Sequence, residues 1–311
     1  MSYNVVCAGE ALIDLVSADY AATLADAESF APHVGGSPAN LAHNLRMLGA
    51  DVGLIAGVGQ DAFGRRIVSG FRESGLPTEL VEEVSGTPTT LVTVTKSKGS
   101  PDFEVYRGAD SEVSYAPFAR ALATGSQIFH TTCFALSRAP MRSHLLRAGA
   151  AFAKTGTTLS VDANYAAKVW PDREQAQRVL REYVRHGALV KMSEVDYERL
   201  YGRPLRLADA EAAAAPLLKE GARLVCLTFG GDGAAAVTRA GAVEHVPPPL
   251  DIVDATGAGD SFWSGFLAAY LDDRRPRECL RAGAAVAAVK LRQQGPLRES
   301  LDWRGLVDGG L

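Results

Sequence analysis

Along the chain, short β-branched runs alternate with longer stretches whose apolar positions recur at helical spacing. The runs at 5–8, 52–58, 127–133, 158–163, 188–193 and 223–229 predict strands. The stretches at 37–48, 63–74, 139–154, 172–186, 208–220, 260–271 and 277–292 predict helices. Alternation of this kind builds a mostly parallel sheet covered on both faces by helices, a three-layer α/β/α arrangement. Ligands of such folds sit beyond the carboxyl ends of the strands, so the loops there are where chemistry is expected.

One region breaks the rhythm. Between about 87 and 107, TTLVTVT and DFEVYR read as two strands joined by the turn-rich SKGSP, with no helix between them. The first run alternates polar and apolar residues, as a half-exposed sheet does. A small β-sheet lid beside a ligand cleft explains the region; an edge hairpin without functional motion explains it too. No internal repeat, low-complexity tract or long linker is present. The expected organisation is a single domain over 1–311, with a lid made mainly by about 87–110 and part of 12–36.

Composition narrows the classes. With 311 residues, 47% of them hydrophobic, the chain can bury a sizeable core without disulfides or metals. A formal net charge of −4 and no dense Lys/Arg block argue against a nucleic-acid or membrane-surface partner. The four cysteines, Cys7, Cys133, Cys226 and Cys279, are widely spaced and form no CxxC, which fits a reducing compartment. MSYNVVCAGEALIDL reads as a first strand, not a signal peptide, and no apolar run approaches the roughly 18 residues of a membrane span. A cytoplasmic protein is expected.

Two glycine-containing segments carry chemistry. In GGSPANLAHNLRMLG, Ser37 suits an N-cap, Pro38 the first helical position and Gly49 the end of a helix. Gly35 and Gly36 allow a ligand close to the backbone, and Asn40 offers a donor and an acceptor to hydroxyls; a plain tight turn is the alternative. In DIVDATGAGDSFWSGFLAAYL, Gly257, Ala258 and Gly259 open a helix whose N-terminal amides make an anion cradle suited to a transferring phosphoryl group. Asp260, at the mouth of that helix, is placed to accept a proton from an attacking hydroxyl, although an Asp N-cap would look the same.

Together the two segments resemble the signatures of the PfkB/ribokinase-like carbohydrate kinases. GEALIDL, the flap, KMSEVDYERLYG and TFGGDG follow in the expected order, so the resemblance covers nearly the whole chain. It implies a Rossmann-like fold with a β-sheet lid and an ATP-dependent phosphotransferase acting on a sugar hydroxyl. By that resemblance Asp260 would be the base and the backbone of Gly257, Ala258 and Gly259 the anion hole. Asp14, Gly35, Gly36 and Asn40 would hold sugar hydroxyls. Thr228, Gly231, Gly233 and Ser193 fall where relatives hold the nucleotide, and Asp196 where a carboxylate orders water around Mg²⁺. Asp254 and Thr256 fall where some relatives bind a monovalent cation such as K⁺.

Departures from the pattern narrow the substrate. Ala255 replaces the usual Ser, Thr, Pro or Val, and Ser193-Glu194-Val195-Asp196 replaces NxxE. Ala166 stands in DANYAAKVW where an Arg is common, which argues against a keto-deoxygluconate kinase unless Lys168 or Arg107 substitutes. FEVYRGAD resembles the fructokinase version of the lid, so Tyr106, Arg107 and Asp110 are expected near the substrate; a solvated flap edge is the alternative. Fructose is favoured, ahead of keto-deoxygluconate and ribose. His43 and His130 are expected to be structural. The partners expected are ATP and a small sugar, with a second copy of the chain at the lid edge. A dinucleotide enzyme is disfavoured because GVGQDAFG lies outside the first βα turn; a non-catalytic sensor would be expected to have lost Asp260.

Overall fold

The computed structural model describes residues 2–97 and 102–308. The turn expected within SKGSP falls mostly outside the described residues. In chain order the strands are β1 (Tyr3–Ala8), β2 (Leu12–Tyr20), β3 (Phe30–Gly35), β4 (Val52–Gly59), β5 (Val81–Val84), β6 (Leu91–Lys96), β7 (Phe103–Tyr106), β8 (Ser126–Thr132), β9 (Thr158–Asp162), β10 (Leu189–Ser193), β11 (Leu224–Thr228), β12 (Ala234–Thr238) and β13 (Gly241–His245). The helices are α1 (Ser37–Met47), α2 (Ala62–Glu73), α3 (Ala116–Thr124), α4 (Cys133–Leu136), α5 (Met141–Lys154), α6 (Arg173–Val184), α7 (Glu194–Tyr201), α8 (Ala210–Glu220), α9 (Ala258–Leu271), α10 (Pro276–Leu291) and α11 (Trp303–Asp308).

The main sheet runs β13-β12-β11-β10-β9-β8-β1-β4-β5. Its pairs are parallel from β11 through to β5, while β12 and β13 close one edge antiparallel. Central strands buried on both faces need apolar residues at every position, and β4, VGLIAGVG, is buried throughout. One core cluster, with Phe118, Phe129, Phe152 and Tyr183, fills one face of the sheet; the other, with Leu41, Ile67, Trp263 and Phe266, fills the opposite face. The three layers expected from strand–helix alternation are present.

A second sheet of four strands has the order β3-β2-β6-β7. It contains the two expected runs, as β6 and β7, joined to β2 and β3 from the region 12–36. Tyr20, Phe30, Val34 and Tyr106 on this sheet are exposed apolar side chains. The short elements β5, β12, β13, α3 and α7 have no counterpart among the expected ones. Among the described residues no helix is long and apolar enough to cross a membrane, and all four cysteines are free and buried.

The boundary of α1 differs from expectation by one residue, with a consequence for chemistry. Gly36, at φ +108°, takes the N-cap position and Ser37 is the first helical residue. A capping serine would turn its hydroxyl back onto its own helix. Ser37 instead sends it elsewhere.

Candidate active site

Helices α1 and α9 meet with their N-termini side by side, and Asp260 lies in the first turn of α9. The Ser37 hydroxyl donates to Asp260 Oδ1 at 2.6 Å and the Asn40 amide to Oδ2 at 2.9 Å. One turn further in, Asn44 donates to the Ser261 hydroxyl at 3.1 Å and fastens the two helices. Burial pushes the Asp260 carboxyl above its ordinary range, against the two donors and the Lys191 charge, which favour the anion. A carboxylate held this way is oriented on both oxygens and is more basic than one in water.

Asp14 comes from β2, across the mouth of α1. Burial first, and then the Asp260 charge, push its carboxyl up to about 6. Its Oδ2 lies 2.0 Å from the place a Cβ on Gly35 would occupy, so any side chain at residue 35 would displace the Asp14 carboxylate. Gly36 is constrained by its positive φ and by the Glu10 carbonyl, 2.3 Å from a Cβ there. The GG pair therefore keeps the Asp14 carboxylate and the backbone of Glu10 close to the start of α1. Asp14, Gly35, Gly36 and Asn40, expected together, are together. Glu10 itself was not foreseen. It is buried, accepts from the Ser37 amide at 3.3 Å and the Thr132 hydroxyl at 2.8 Å, and burial pushes its carboxyl up to about 8.

The turn before Asp260 provides free amides, though not the set expected. Gly257 adopts the left-handed conformation at the N-cap of α9. The Ala258 amide is bonded to the Ala255 carbonyl at 3.2 Å and that of Ser261 to the Gly257 carbonyl at 2.9 Å. Among the described residues, the amides of Gly257, Gly259 and Asp260 have no acceptor. Ala258 thus shapes the turn, and the unbonded donors lie on either side of it, at the positive end of the helix.

Lys191, also unforeseen, sits against this turn. It stands in the buried strand β10, and its Nζ is 3.0 Å from the place a Cβ on Gly259 would occupy. It donates to Asp162 Oδ2 at 2.9 Å. Burial alone would lower its ammonium, but Asp162, Asp196 and Asp260 more than reverse that and hold it charged. A lysine in the middle of the apolar ALVKMS was the available signal, because a buried strand does not carry a charge without partners.

At the ends of β10 and β11, Ser193 and Thr228 are register partners, and Gly231 and Gly233 follow in the tight turn after β11. Asp196, expected to order water around Mg²⁺, is itself held by the protein. It forms a capping box on α7, accepting from the Ser193 amide and hydroxyl on Oδ2, at 3.0 and 2.6 Å, and from the Tyr165 amide on Oδ1 at 3.0 Å. The Ser193 hydroxyl is engaged in the same box and also accepts from the Asp196 amide. Among the described residues no group of three or more His, Cys, Asp or Glu side chains is placed to hold a metal. The donors present suit a magnesium ion carried on nucleotide phosphates and kept mostly hydrated, with Glu194 and Asp196 as nearby carboxylates.

Asp254 and Thr256, expected at a monovalent-cation position, lie beside Lys290. Asp254 accepts from the Lys290 ammonium on its backbone carbonyl at 2.9 Å and on Oδ2 at 3.1 Å, and Thr256 contributes its amide to Asp254 Oδ1 at 2.9 Å.

Arg107 and Asp110 form a buried clamp. Arg107 Nη2 is 2.6 Å from Asp110 Oδ2, Nε donates to Oδ1 at 3.1 Å, and Thr90 also donates to Asp110. Nη1 reaches the Ser137 hydroxyl at 2.6 Å and the Phe134 carbonyl at 3.3 Å. Arg107 is therefore committed to the protein, close to Glu10, and joins the end of β7 to α4. Tyr106 is 61% exposed. His130 is buried against Ser160, held neutral by burial, and His43 donates to the Leu297 carbonyl.

Known proteins resemble the chain in sequence and in fold. Residues 2–303 match the pfkB family of carbohydrate kinases. An ATP-dependent 6-phosphofructokinase of Thermoanaerobacterium thermosaccharolyticum is 32% identical over 295 residues, covering 95% of this chain and 90% of the relative. A probable fructokinase-4 of Arabidopsis thaliana is 31% identical over 303 residues, covering 94% and 92%. Among solved structures, the fructokinase of Halothermothrix orenii superposes with a TM-score of 0.79 at 29% identity, covering 94% of this chain and 100% of its own. The ATP-bound fructokinase of Xylella fastidiosa gives 0.84 at 25% identity, covering 98% of each. Free helix-terminal amides beside an oriented carboxylate are what phosphoryl transfer to an alcohol requires, and the chain belongs to the pfkB family of carbohydrate kinases.

Proposed function

We propose that the chain transfers the γ-phosphoryl group of ATP to a primary hydroxyl of fructose, with Asp260 as the base. The observation that carries this reading is the Asp260 carboxylate, oriented by Ser37 and Asn40, beside the unbonded amides of Gly257, Gly259 and Asp260. The sugar lies against Asp14, Gly35, Gly36 and Asn40, beneath the four-stranded sheet acting as a lid. The nucleotide lies along the ends of β10 and β11, at Ser193, Thr228, Gly231 and Gly233. Asp260 accepts the hydroxyl proton as the oxygen attacks the γ-phosphorus; the bond to the bridging oxygen breaks and ADP leaves. The free amides hold the charge on the transferred group, a contribution that is large when donors are fixed in advance. Lys191 offsets the charge of Asp260, Asp162 and Asp196 and so favours the ionised base against its burial. Magnesium bound to the nucleotide would neutralise phosphate charge. The exposed apolar residues Tyr20, Phe30, Val34 and Tyr106 give the outer face of the lid to a second copy of the chain.

The acceptor is tested by ADP release from MgATP with fructose, fructose 6-phosphate, keto-deoxygluconate, ribose, adenosine and no sugar. Fast turnover on fructose that falls at least 10³-fold in Asp260→Asn, with fructose binding retained, supports the reading. Near-normal turnover in that variant sinks the role of Asp260, and binding without turnover in the wild type favours a sensor. Preference for fructose 6-phosphate is the second reading. The 6-phosphofructokinase relative favours it, as does Arg138, exposed beside Ser137 with no ion-pair partner among the described residues.

A further inference from the structure

We infer that the Lys290 ammonium is a built-in cation that fixes the strap before the Gly257 turn, so that this chain needs no free monovalent ion there. Lys290 lies in the last turn of α10 and is buried, 2% exposed. A lysine ammonium has three protons and no acceptor. Here three oxygens meet it: the Asp254 carbonyl at 2.9 Å, Asp254 Oδ2 at 3.1 Å and the Gln293 carbonyl at 3.4 Å. They come from the two loops that converge on this end of α10.

The surrounding bonds show what the cation organises. The Val253 and Asp254 amides donate to the Leu291 carbonyl at 2.8 and 3.3 Å, so the strap is fastened to the C-terminus of α10. The C-terminal end of a helix is negative and favours a cation. Asp254 Oδ2 also accepts from the Gly295 amide at 3.1 Å, and Oδ1 from the Thr256 amide at 2.9 Å. Gly257, the next residue, carries the left-handed turn that opens α9. The ammonium thus locks both loops at the point where the chain enters the turn bearing the free amides. A free monovalent ion would take its ligands from the carbonyl and carboxylate of Asp254, and it would meet a fixed positive charge already bonded to both. The donor set does not suit such an ion while Lys290 is present. Lys290 is a positioning residue: it touches neither substrate, and it acts through the geometry of residues 254–257.

The inference rests on the kinase reading only for its activity arm. The experiment compares the wild type, Lys290→Ala and Lys290→Met in potassium, ammonium, sodium and choline chlorides at one ionic strength, reading both melting temperature and sugar-dependent ADP release. The wild type should melt alike in all four salts and turn over at rates within twofold. Lys290→Ala leaves a vacancy on the same oxygens; it should melt lower in choline, recover in ammonium or potassium, and regain at least fivefold in kcat with them. Lys290→Met fills the space without charge and should stay impaired in every salt. Melting or turnover of the wild type that rises several-fold or by several degrees with potassium over choline overturns the inference. So does a Lys290→Ala protein that responds to no cation. Should that variant fail to fold, the wild-type salt series decides alone. If no sugar is turned over, the melting series still reads the cation while the kinase reading fails separately.

Discussion

Ser37 Oγ and Asp260 Oδ1 are 2.6 Å apart and 223 positions apart in sequence. Ser37 can make this bond because it stands inside α1, one residue past the cap. The donor favours the ionised carboxylate against the burial that disfavours it. Removing it should therefore raise the pKa of Asp260 further. A base acts when deprotonated, so activity falls as pH drops through its pKa. Ser37→Ala should move the acid limb of the kcat/KM profile to higher pH and lower the neutral rate about tenfold. Asn40→Ala should shift the limb the same way, with a rise in KM for the sugar. Unchanged limbs in both would dissociate the hydroxyl and amide from the base.

The two adjacent glycines should fail differently. A Cβ on Gly36 meets the Glu10 carbonyl at 2.3 Å, a backbone atom, at a φ of +108°. Gly36→Ala should cost about 1–3 kcal/mol from the backbone conformation, with the clash adding to it. A Cβ on Gly35 meets side-chain atoms, the Asp14 carboxylate at 2.0 Å and Leu12 Cδ1 at 3.3 Å, and the carboxylate can rotate away. Gly35→Ala should melt near the wild type and bind sugar at least tenfold more weakly. Thermal melting and KM, measured side by side, separate the two.

Glu10 makes stability depend on pH in a particular direction. Burial pushes its carboxyl up from 4.5 to about 8, so between those values the folded chain holds a proton that the unfolded chain has released. Stability contributed by this group is full below 4.5, falls as pH rises, and is lost at about 8. Glu10→Gln cannot ionise. Relative to the wild type it should gain melting temperature steadily from pH 5 to pH 8. A constant difference across that range would show that Glu10 does not titrate there.

Lys168 ties the second sheet to the main body. Its ammonium donates to Asp102 at 3.0 Å, to the Phe103 carbonyl at 2.8 Å and to Glu104 at 2.9 Å, all at the start of β7. These contacts are exposed, so Lys168→Ala should leave the melting temperature where it is. If the sheet closes over sugar, the same variant should raise KM for the sugar several-fold and increase ATP hydrolysis without sugar. Kinetics identical to the wild type would leave the sheet without a gating role.

The alternation of β-branched runs and helical stretches announced the layered fold because each element carries its own periodicity. The elements that escaped have weak periods of their own. The strand AAAVT at β12 is mostly alanine, which has little preference for a sheet, and EVDYERLY at α7 is about two turns long with charges between its buried residues. The glycine turn and Asp260 were legible because small residues before a carboxylate and an apolar helix have few other uses. Lys191, Glu10 and Lys290 were not. Each looks like a stray charge in an apolar segment until its partners, drawn from remote positions, are known. The bonds of Asp196 to Ser193 and Tyr165 were hidden for the same reason: they are capping and tertiary contacts that spacing alone does not reveal.

The strand order has a consequence for how the protein comes to be made. β1 lies between β8 and β4, so the sheet can begin to assemble from the first half of the chain as it leaves the ribosome. Helix α1, however, packs chiefly against α9 and bonds through the Met47 carbonyl to the Leu301 amide, and these C-terminal segments are synthesised late. A nascent or C-terminally clipped chain therefore lacks both the carboxylate opposite Ser37 and the helix that covers the buried face of α1, so the two halves of the site come into being together when the last helices dock.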